Sequence, residues 1–576
     1  MRHTHRIAFA LTIAGTAQAD ILRVDIDAAP GGNGSSWALA YKSLTDALAA
    51  ASTGDQLWVA EGIYEPVAPA GRNATFTIPS GVGVYGGFNG TESVFIARNP
   101  TLNITELNGG NTNSYSIVTI AAPGVGTVLD GFVIKKGTAD VSGAGATSRG
   151  AGVYASGATP ALRQLFITQC SSIDPGSAIY LGGTNASNAV IDRCLIQGNS
   201  GEFAVRVSIP VSIIDTDFVA NTSGALWLDG STANIFQEVL RCEFRDHPGS
   251  TSLSTVLLNH TSTTAITRID GALFENNQAF RAGALYYLGA GDHELRNSII
   301  RSNSVSQGTV SGGALFLDMD SANESLLIEN TLIIGNSCAG QGGAISKDGP
   351  ETLRIIGSTI AGNSTSAPFA AGIELAAGVL DMDNTIVYEN TGTGTADQRR
   401  SIFISGGSAT ADRCLIQYLG SGPMAPPING VGSSSLNPLF VDSNGPDNVF
   451  GTADDNVRLM PGSPAIDAGN NLFVSPFVSF DIYGQPRFHD DTGTPDTGVD
   501  GGLPPVIDIG AAEFQGTTPS DCLADTNHDG VVSPADFSAW VAAFNTMAPE
   551  CDQNGDGMCS PADFSAWVAN FNAGCP

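Results

Sequence analysis

Lysine is nearly missing from this 576-residue chain: only Lys42, Lys135, Lys136 and Lys347 occur, and acidic residues outnumber basic ones 56 to 25. The formal net charge of −31 disfavours nucleic acid and anionic membranes as partners. Long apolar runs are also missing. Beyond the N-terminus no stretch approaches the ~18 apolar residues of a membrane-crossing helix, so no transmembrane segment is expected in the mature chain. The sequence holds no serine-nucleophile elbow, zinc motif or phosphate loop, and the mature histidines (His247, His260, His293, His489, His528) form no cluster.

What is present begins with Arg2 and Arg6, the apolar run Ile7 to Ile13, and Ala17-Gln18-Ala19. This pattern predicts a secretory signal over 1–19, cleaved before Asp20. Losing Arg2 and Arg6 takes the net charge from −31 to −33. The mature protein is expected to be secreted or held at the cell surface.

From 20 to 127 the pattern predicts an N-terminal cap and first coils. A strand at 21–25 leads to an amphipathic helix through Leu44, Ala47, Leu48 and Ala51, then a strand at 56–59. Between 128 and 418 the chain repeats. One strand recurs as small, apolar, apolar, two spacers, then Asn, as in Cys194 to Asn199, Ser298 to Asn303, Thr331 to Asn336 and Ser358 to Asn363. The first and third positions share a face, so they point inward. A second strand has anchors at 153, 179, 205, 226, 257, 285, 315, 345, 373 and 402, an average step of about 28 residues. Short Gly-, Thr- and Ile-rich segments at that step predict an all-β parallel β-helix, its Asn side chains taking left-handed geometry and stacking as a ladder. Cys194, Cys242 and Cys414 fall at the small inward position and are expected to be buried thiols.

Residues 419–514 read as the closing segment of the β-helix, and 515–520 as a linker. Asp442, Asn444, Asp447, Asp454 and Asp455 crowd one loop there and form a candidate calcium site. The last unit, 521–576, contains one pattern twice. Asp525, Asn527, Asp529, Ser533 and Asp536 stand at positions one, three, five, nine and twelve, with Gly530 at six. Asp552, Asn554, Asp556, Ser560 and Asp563 repeat the spacing around Gly557. Calcium takes six to eight oxygens at about 2.3–2.6 Å, and glycine permits the sharp turn that points them inward. Each loop runs into a helical pattern, through Phe537, Trp540, Val541 and Phe544 or Phe564, Trp567, Val568 and Phe571. Cys522, Cys551, Cys559 and Cys575 supply two disulfides to a unit too small for a large core. Three pairings are open, and we favour Cys522 with Cys575 and Cys551 with Cys559.

Two resemblances follow. Gly-Gly-Ala-apolar (Gly312 to Leu315, Gly342 to Ile345) with Phe-x-x-Asn (Phe218 to Asn221, Phe274 to Asn277) resembles the repeats of polymorphic outer-membrane protein adhesins, which implies a right-handed β-helix of the pectin-lyase-like type. The terminal duplication resembles a type I dockerin of the exported kind that ends in Gly-Cys, as Gly574-Cys575 does here. That resemblance implies a small all-α, EF-hand-like unit with two calcium ions. It adds the Val531 and Met558 carbonyls to the ligands and a cohesin-like or other surface receptor as partner. Dockerins often present Ser-Thr to their receptor where this chain has Pro534-Ala535 and Pro561-Ala562, so the receptor is expected to differ.

The sequence therefore reads as an exported surface-structural or carbohydrate- or protein-binding β-helix with a calcium-dependent anchor. The alternative is a polysaccharide lyase or glycoside hydrolase of the same fold. Its candidate residues are Asp215 and Asp217, two apart on one strand with side chains about 6–7 Å apart, flanked by Arg193 and Arg241 from neighbouring coils. The Gly-His-Gly and Arg-Ile-Lys signatures of polygalacturonases do not occur.

Overall fold

A computed structural model of the chain describes residues 19–66, 71–111, 113–143, 145–184, 187–249, 252–306, 311–366, 370–392, 401–419, 428–516, 523–526, 533–554 and 559–573. Its body is a parallel β-helix. Three long sheets run its length: sheet A with 15 strands, sheet B with 13 and sheet C with 12. Each coil adds one strand to each sheet, so sequence repeats become ladders of like residues.

The core follows from that stacking. In sheet B the predicted inward residues Ile196, Phe218, Phe244, Phe274 and Ile300 lie directly above one another and are fully buried. Phe218, Phe244 and Phe274 stack with ring centroids 4.8 and 4.7 Å apart. At the turns that follow the sheet B strands of the middle coils, the Asn ladder forms as expected. The amides of Asn277, Asn303, Asn336 and Asn363 each donate to the side-chain oxygen of the next coil's Asn at 2.8–3.0 Å. The left-handed conformation, however, belongs to the residue before each ladder Asn, among them Ala220, Asn276, Ser302 and Glu389. The ladder amides are thereby free to cap carbonyls of the preceding strand. His247 takes the ladder position in its coil, bonding Phe218 O at 3.1 Å and Asn221 O at 3.3 Å.

A second ladder lies at the sheet A to sheet B corner. The small inward residues are buried, and those with a hydroxyl or thiol turn it back on the carbonyl two residues earlier. Examples are Ser358 to Ile356 O at 2.9 Å and Cys414 to Asp412 O at 3.3 Å. Cys194, Cys242 and Cys414 are buried free thiols whose protonated form burial favours strongly. Their small size suits the column, and the weak S–H bond satisfies the corner.

One anchor differs from the pattern. Val256, not Leu257, pairs with inward Leu226 and Leu285. Leu257 lies on the opposite face, packed with Phe203, Tyr286 and Phe316. In the apolar run Val256-Leu257-Leu258 strand alternation turns 256 and 258 inward and 257 outward, so hydrophobicity alone does not pick out the inward residue; the register irregularity here adds its extra residue between Ala282 and Leu285 of the next coil.

At the start, the helix Leu44–Ala50 is capped by Ser43, which accepts the Asp46 N–H at 3.2 Å. It buries Leu44, Ala47 and Leu48 and keeps water from the first coil. Towards the other end, residues 437–514 lie along the flank of sheet B. Phe440, Val457, Leu459, Ile466, Ile509 and Phe514 pack on Leu332, Ile334, Ala361, Ile386 and Leu415. The reason is in the outward positions of sheet B. In earlier coils apolar outward residues such as Leu195 and Leu273 alternate with polar ones (Gln197, Asp217, Arg245, Glu275), whereas Leu332, Ile334, Ala361 and Ile386 make these coils' outer face largely apolar, and such a face needs a cover. Gly335 and Gly362, both left-handed, let Phe450 and Gly451 approach where a Cβ would collide.

Candidate functional sites

In the C-terminal unit, the duplicated pattern produces two 13-residue helices, Pro534–Thr546 and Pro561–Ala573. Ser533 and Asp536 form a reciprocal capping box. Asp563 repeats the arrangement, accepting the N–H groups of Ser560 at 2.7 Å and Gln553 at 3.0 Å. Burial would raise its pKa, but these bonds outweigh burial and hold it below the usual range. Trp540 donates to Cys551 O and Trp567 to the Thr526 hydroxyl, both at 3.1 Å. Cys551 and Cys559 are joined, one of the two favoured pairings. Cys522, Cys575, Asn527, Asp529, Val531, Asp556 and Met558 lie outside the described residues. Of the expected calcium ligands that are described, the side chains of Asp525, Asp536 and Asp563 are buried. Residues 515–576 contain no lysine or arginine, so the unit itself supplies no permanently cationic side chain to balance them. A hard divalent cation fits such an all-oxygen donor set. Pro534, Ala535, Pro561 and Ala562 are exposed at the two helix starts. Beside them Phe537, Val541, Phe564 and Val568 are partly exposed, with the Phe537 and Phe564 rings 5.8 Å apart.

The second location is a cleft of about 600 Å³ on the open part of sheet B. Pro100, Thr101 and Ile104 overhang it, and Phe166, Leu195 and Asp217 form part of its floor. Arg193 and Asp215 also line it, so three of the four expected residues come together there. Their geometry differs from the expectation. Asp217 begins a sheet B strand, but Asp215 occupies the left-handed corner before it (φ 47°), as do Arg193 and Arg241 in adjacent coils. Asp215 and Asp217 therefore do not share one strand face. Arg241 grips Asp215 through two bonds of 2.7 and 3.0 Å and holds its pKa below the usual carboxylate value. Arg193 instead pairs with Asp192 of its own coil at 2.9 Å. Asp217 is half-buried, and burial raises its pKa, with Arg245 opposing. The two carboxylates thus differ in environment, Asp215 held by Arg241 and Asp217 partly withdrawn from water.

In the 442–455 loop Asp447 and Asp454 stand near enough to Asp455 to add to the rise that burial gives its pKa, and each of these carboxylates also accepts a local bond. Asp447 accepts the Val449 N–H at 2.8 Å, Asp455 the Gly451 N–H at 2.6 Å, and Asp454 the Thr452 hydroxyl. Asp442 stays exposed on the strand Phe440–Asp442. These short turns spend the carboxylates locally.

Sequence reasoning missed the buried polar centre of the flank segment. Arg487 is buried, donates to Asp508 O at 3.2 Å and Gly510 O at 2.7 Å, and pairs with buried Glu513 at 3.4 Å. Glu513 accepts the Asp508 N–H at 3.1 Å, and its own N–H bonds Asp481 at 2.9 Å. Burial, then the Asp508 charge, pushes the Glu513 pKa well up. The only signal was the run Ile507 to Phe514, whose acids stand among apolar residues.

The family described as a protein of unknown function (DUF1565) matches residues 27–223, the N-terminal cap and first coils. No curated protein matches the chain. Among solved structures, the crystal structure of pectate lyase Pel9A is similar at 14% identity and a TM-score of 0.39, over 87% of this chain and 97% of that one.

Proposed function

We propose that this chain is an exported β-helix that binds or builds at a surface and is attached there through its calcium-dependent, dockerin-like C-terminal unit. The observation that carries this reading is the burial of Asp525, Asp536 and Asp563 in a unit without lysine or arginine. Asp536 and Asp563 accept backbone N–H bonds, and two calcium ions would balance the negative charge that remains in the unit. The paired Phe537 and Phe564 surface, rimmed by Pro534-Ala535 and Pro561-Ala562, is the face offered to a cohesin-like or other receptor. The polar, acidic coils would then be displayed outward, to a polysaccharide or to other protein. In the full chain, Asp525→Ala/Asp552→Ala is expected to lower calcium stoichiometry by two and to abolish calcium-dependent retention on cell-envelope fractions. Retention unchanged by the substitutions and by EGTA would refute the attachment.

The cleft supports a second reading, a lyase or glycoside hydrolase acting on an acidic polysaccharide, with Asp217 as the proton-transfer group. On that reading Asp217→Asn loses about 100-fold or more of cleavage, measured on a panel of uronate polymers. No cleavage by the wild-type chain would remove this reading and leave the first intact.

A further inference from the structure

The flank segment brings together three aspartates that are far apart in sequence. Asp467 sits in a left-handed turn (φ 50°) and is fully buried. Its backbone is firmly held: the N–H donates to Asp508 at 2.8 Å, and the carbonyl accepts from Thr497 at 2.9 Å and Gly498 at 3.0 Å. Its side chain is not. Neither carboxylate oxygen has a hydrogen-bond partner among the described residues, and no ion pair reaches it there. Burial, then Asp496 and Asp490, disfavours its ionised form, and only the nearby Asp491 backbone opposes them.

The carboxylates beside it are exposed Asp490 and Asp496, and ligand oxygens of all three lie within 4.8 Å of one another. The 490–499 loop is fastened in that place by Val499 N–H to Gly469 O and Asn471 N–H to Val499 O, each 2.8 Å. Gly498 is needed for the approach, since a Cβ there would strike the Gly469 carbonyl. A rigid frame thus holds the three carboxylates together, and among the described residues none of them is in a salt bridge; the cation that touches the loop, Arg413, donates to the Thr497 carbonyl at 2.6 Å. Oxygens at about 2.3–2.6 Å from one ion lie no more than about 5 Å from each other, so this separation fits a shared cation. With no nitrogen or sulfur donor in the group, the ion is a hard one, and the exposed side leaves room for the waters that complete a calcium shell.

We propose that Asp467, Asp490 and Asp496 bind one calcium ion, which clasps the 490–499 loop to the segment covering sheet B. Asn470, three residues on, exchanges bonds of 2.8 and 2.9 Å with Asn384 in the coils, so the clasp secures the cover to the solenoid. The site is independent of the C-terminal calcium loops.

The test titrates the full-length mature chain with calcium chloride alone, comparing wild type with Asp490→Asn/Asp496→Asn. Both substituted side chains are exposed, so the fold is expected to survive. The double variant is expected to bind one equivalent fewer, also in an Asp525→Ala/Asp552→Ala background. An unchanged stoichiometry in the variant would overturn the proposal. On wild type, calcium is expected to slow hydrogen exchange over 465–471 and 490–499 at least tenfold more than equal magnesium. No calcium-dependent slowing there would overturn the site, and equal slowing by magnesium would overturn the ion.

Discussion

Acidification from pH 6.5 to 4 is expected to cost the wild-type β-helix about 3 kcal/mol more than it costs His293→Leu, measured by denaturant unfolding at each pH. His293 and His260 lie in neighbouring coils with ring centroids 5.4 Å apart. Both are buried, and Nδ1 of each lacks a partner among the described residues. Burial pushes the His260 pKa down to about 4. Burial, with the neighbouring His260, pushes His293 down to about 3. In the unfolded chain each imidazole takes up its proton near 6.5, so between that pH and the folded value the unfolded state binds more protons. Stability is therefore fully present above 6.5 and is lost as pH falls. Raised carboxylates act the other way. Asp383, pushed to about 6 chiefly by burial, favours the fold at low pH, so the wild-type curve alone mixes both trends. The comparison with His293→Leu cancels them, because position 293 pairs with Leu326 in the next coil and accepts leucine there. Equal pH slopes for the two proteins would mean that the folded imidazole is not held neutral.

Arg487→Met is expected to destabilise the flank segment by about 3–5 kcal/mol. The guanidinium is the cation paired with buried Glu513 and also ties down the Asp508 and Gly510 carbonyls. Removing one partner of a buried pair leaves the other charge without compensation, and that loss exceeds what the pair contributes net. Glu513→Gln added to Arg487→Met is expected to recover at least about 1 kcal/mol, since the orphaned charge is then gone. Hydrogen exchange should rise over 437–514 and over the strands under it, such as Leu332–Ile334 and Ile386–Tyr388. A loss below about 1 kcal/mol for Arg487→Met would mean that the pair does not hold the cover.

The coils were legible because a parallel β-helix stacks like on like. A residue's place in the repeat alone sets its face, so the inward columns through Ile196 and Ile333 and the Asn ladder follow from spacing. The exceptions are local backbone events that spacing does not encode. Three successive apolar residues, Val256 to Leu258, hid which of them faces inward, and left-handed corners removed Asp215 from the strand face it was expected to share with Asp217. Side chains that meet through tertiary folding left still less trace. Arg487 and Glu513 are 26 residues apart in irregular chain, and Asp467 meets Asp490 and Asp496 only because the loop folds back. No periodicity announces either.

Hydrogen exchange across 523–573 of the full chain, in calcium and again in EGTA, tests the calcium-dependent anchor most directly. Strong protection of Pro534–Thr546 and Pro561–Ala573 is expected with calcium and its loss on chelation, while the Asn ladder from 277 to 390 stays protected. Helices equally protected in EGTA would contradict it.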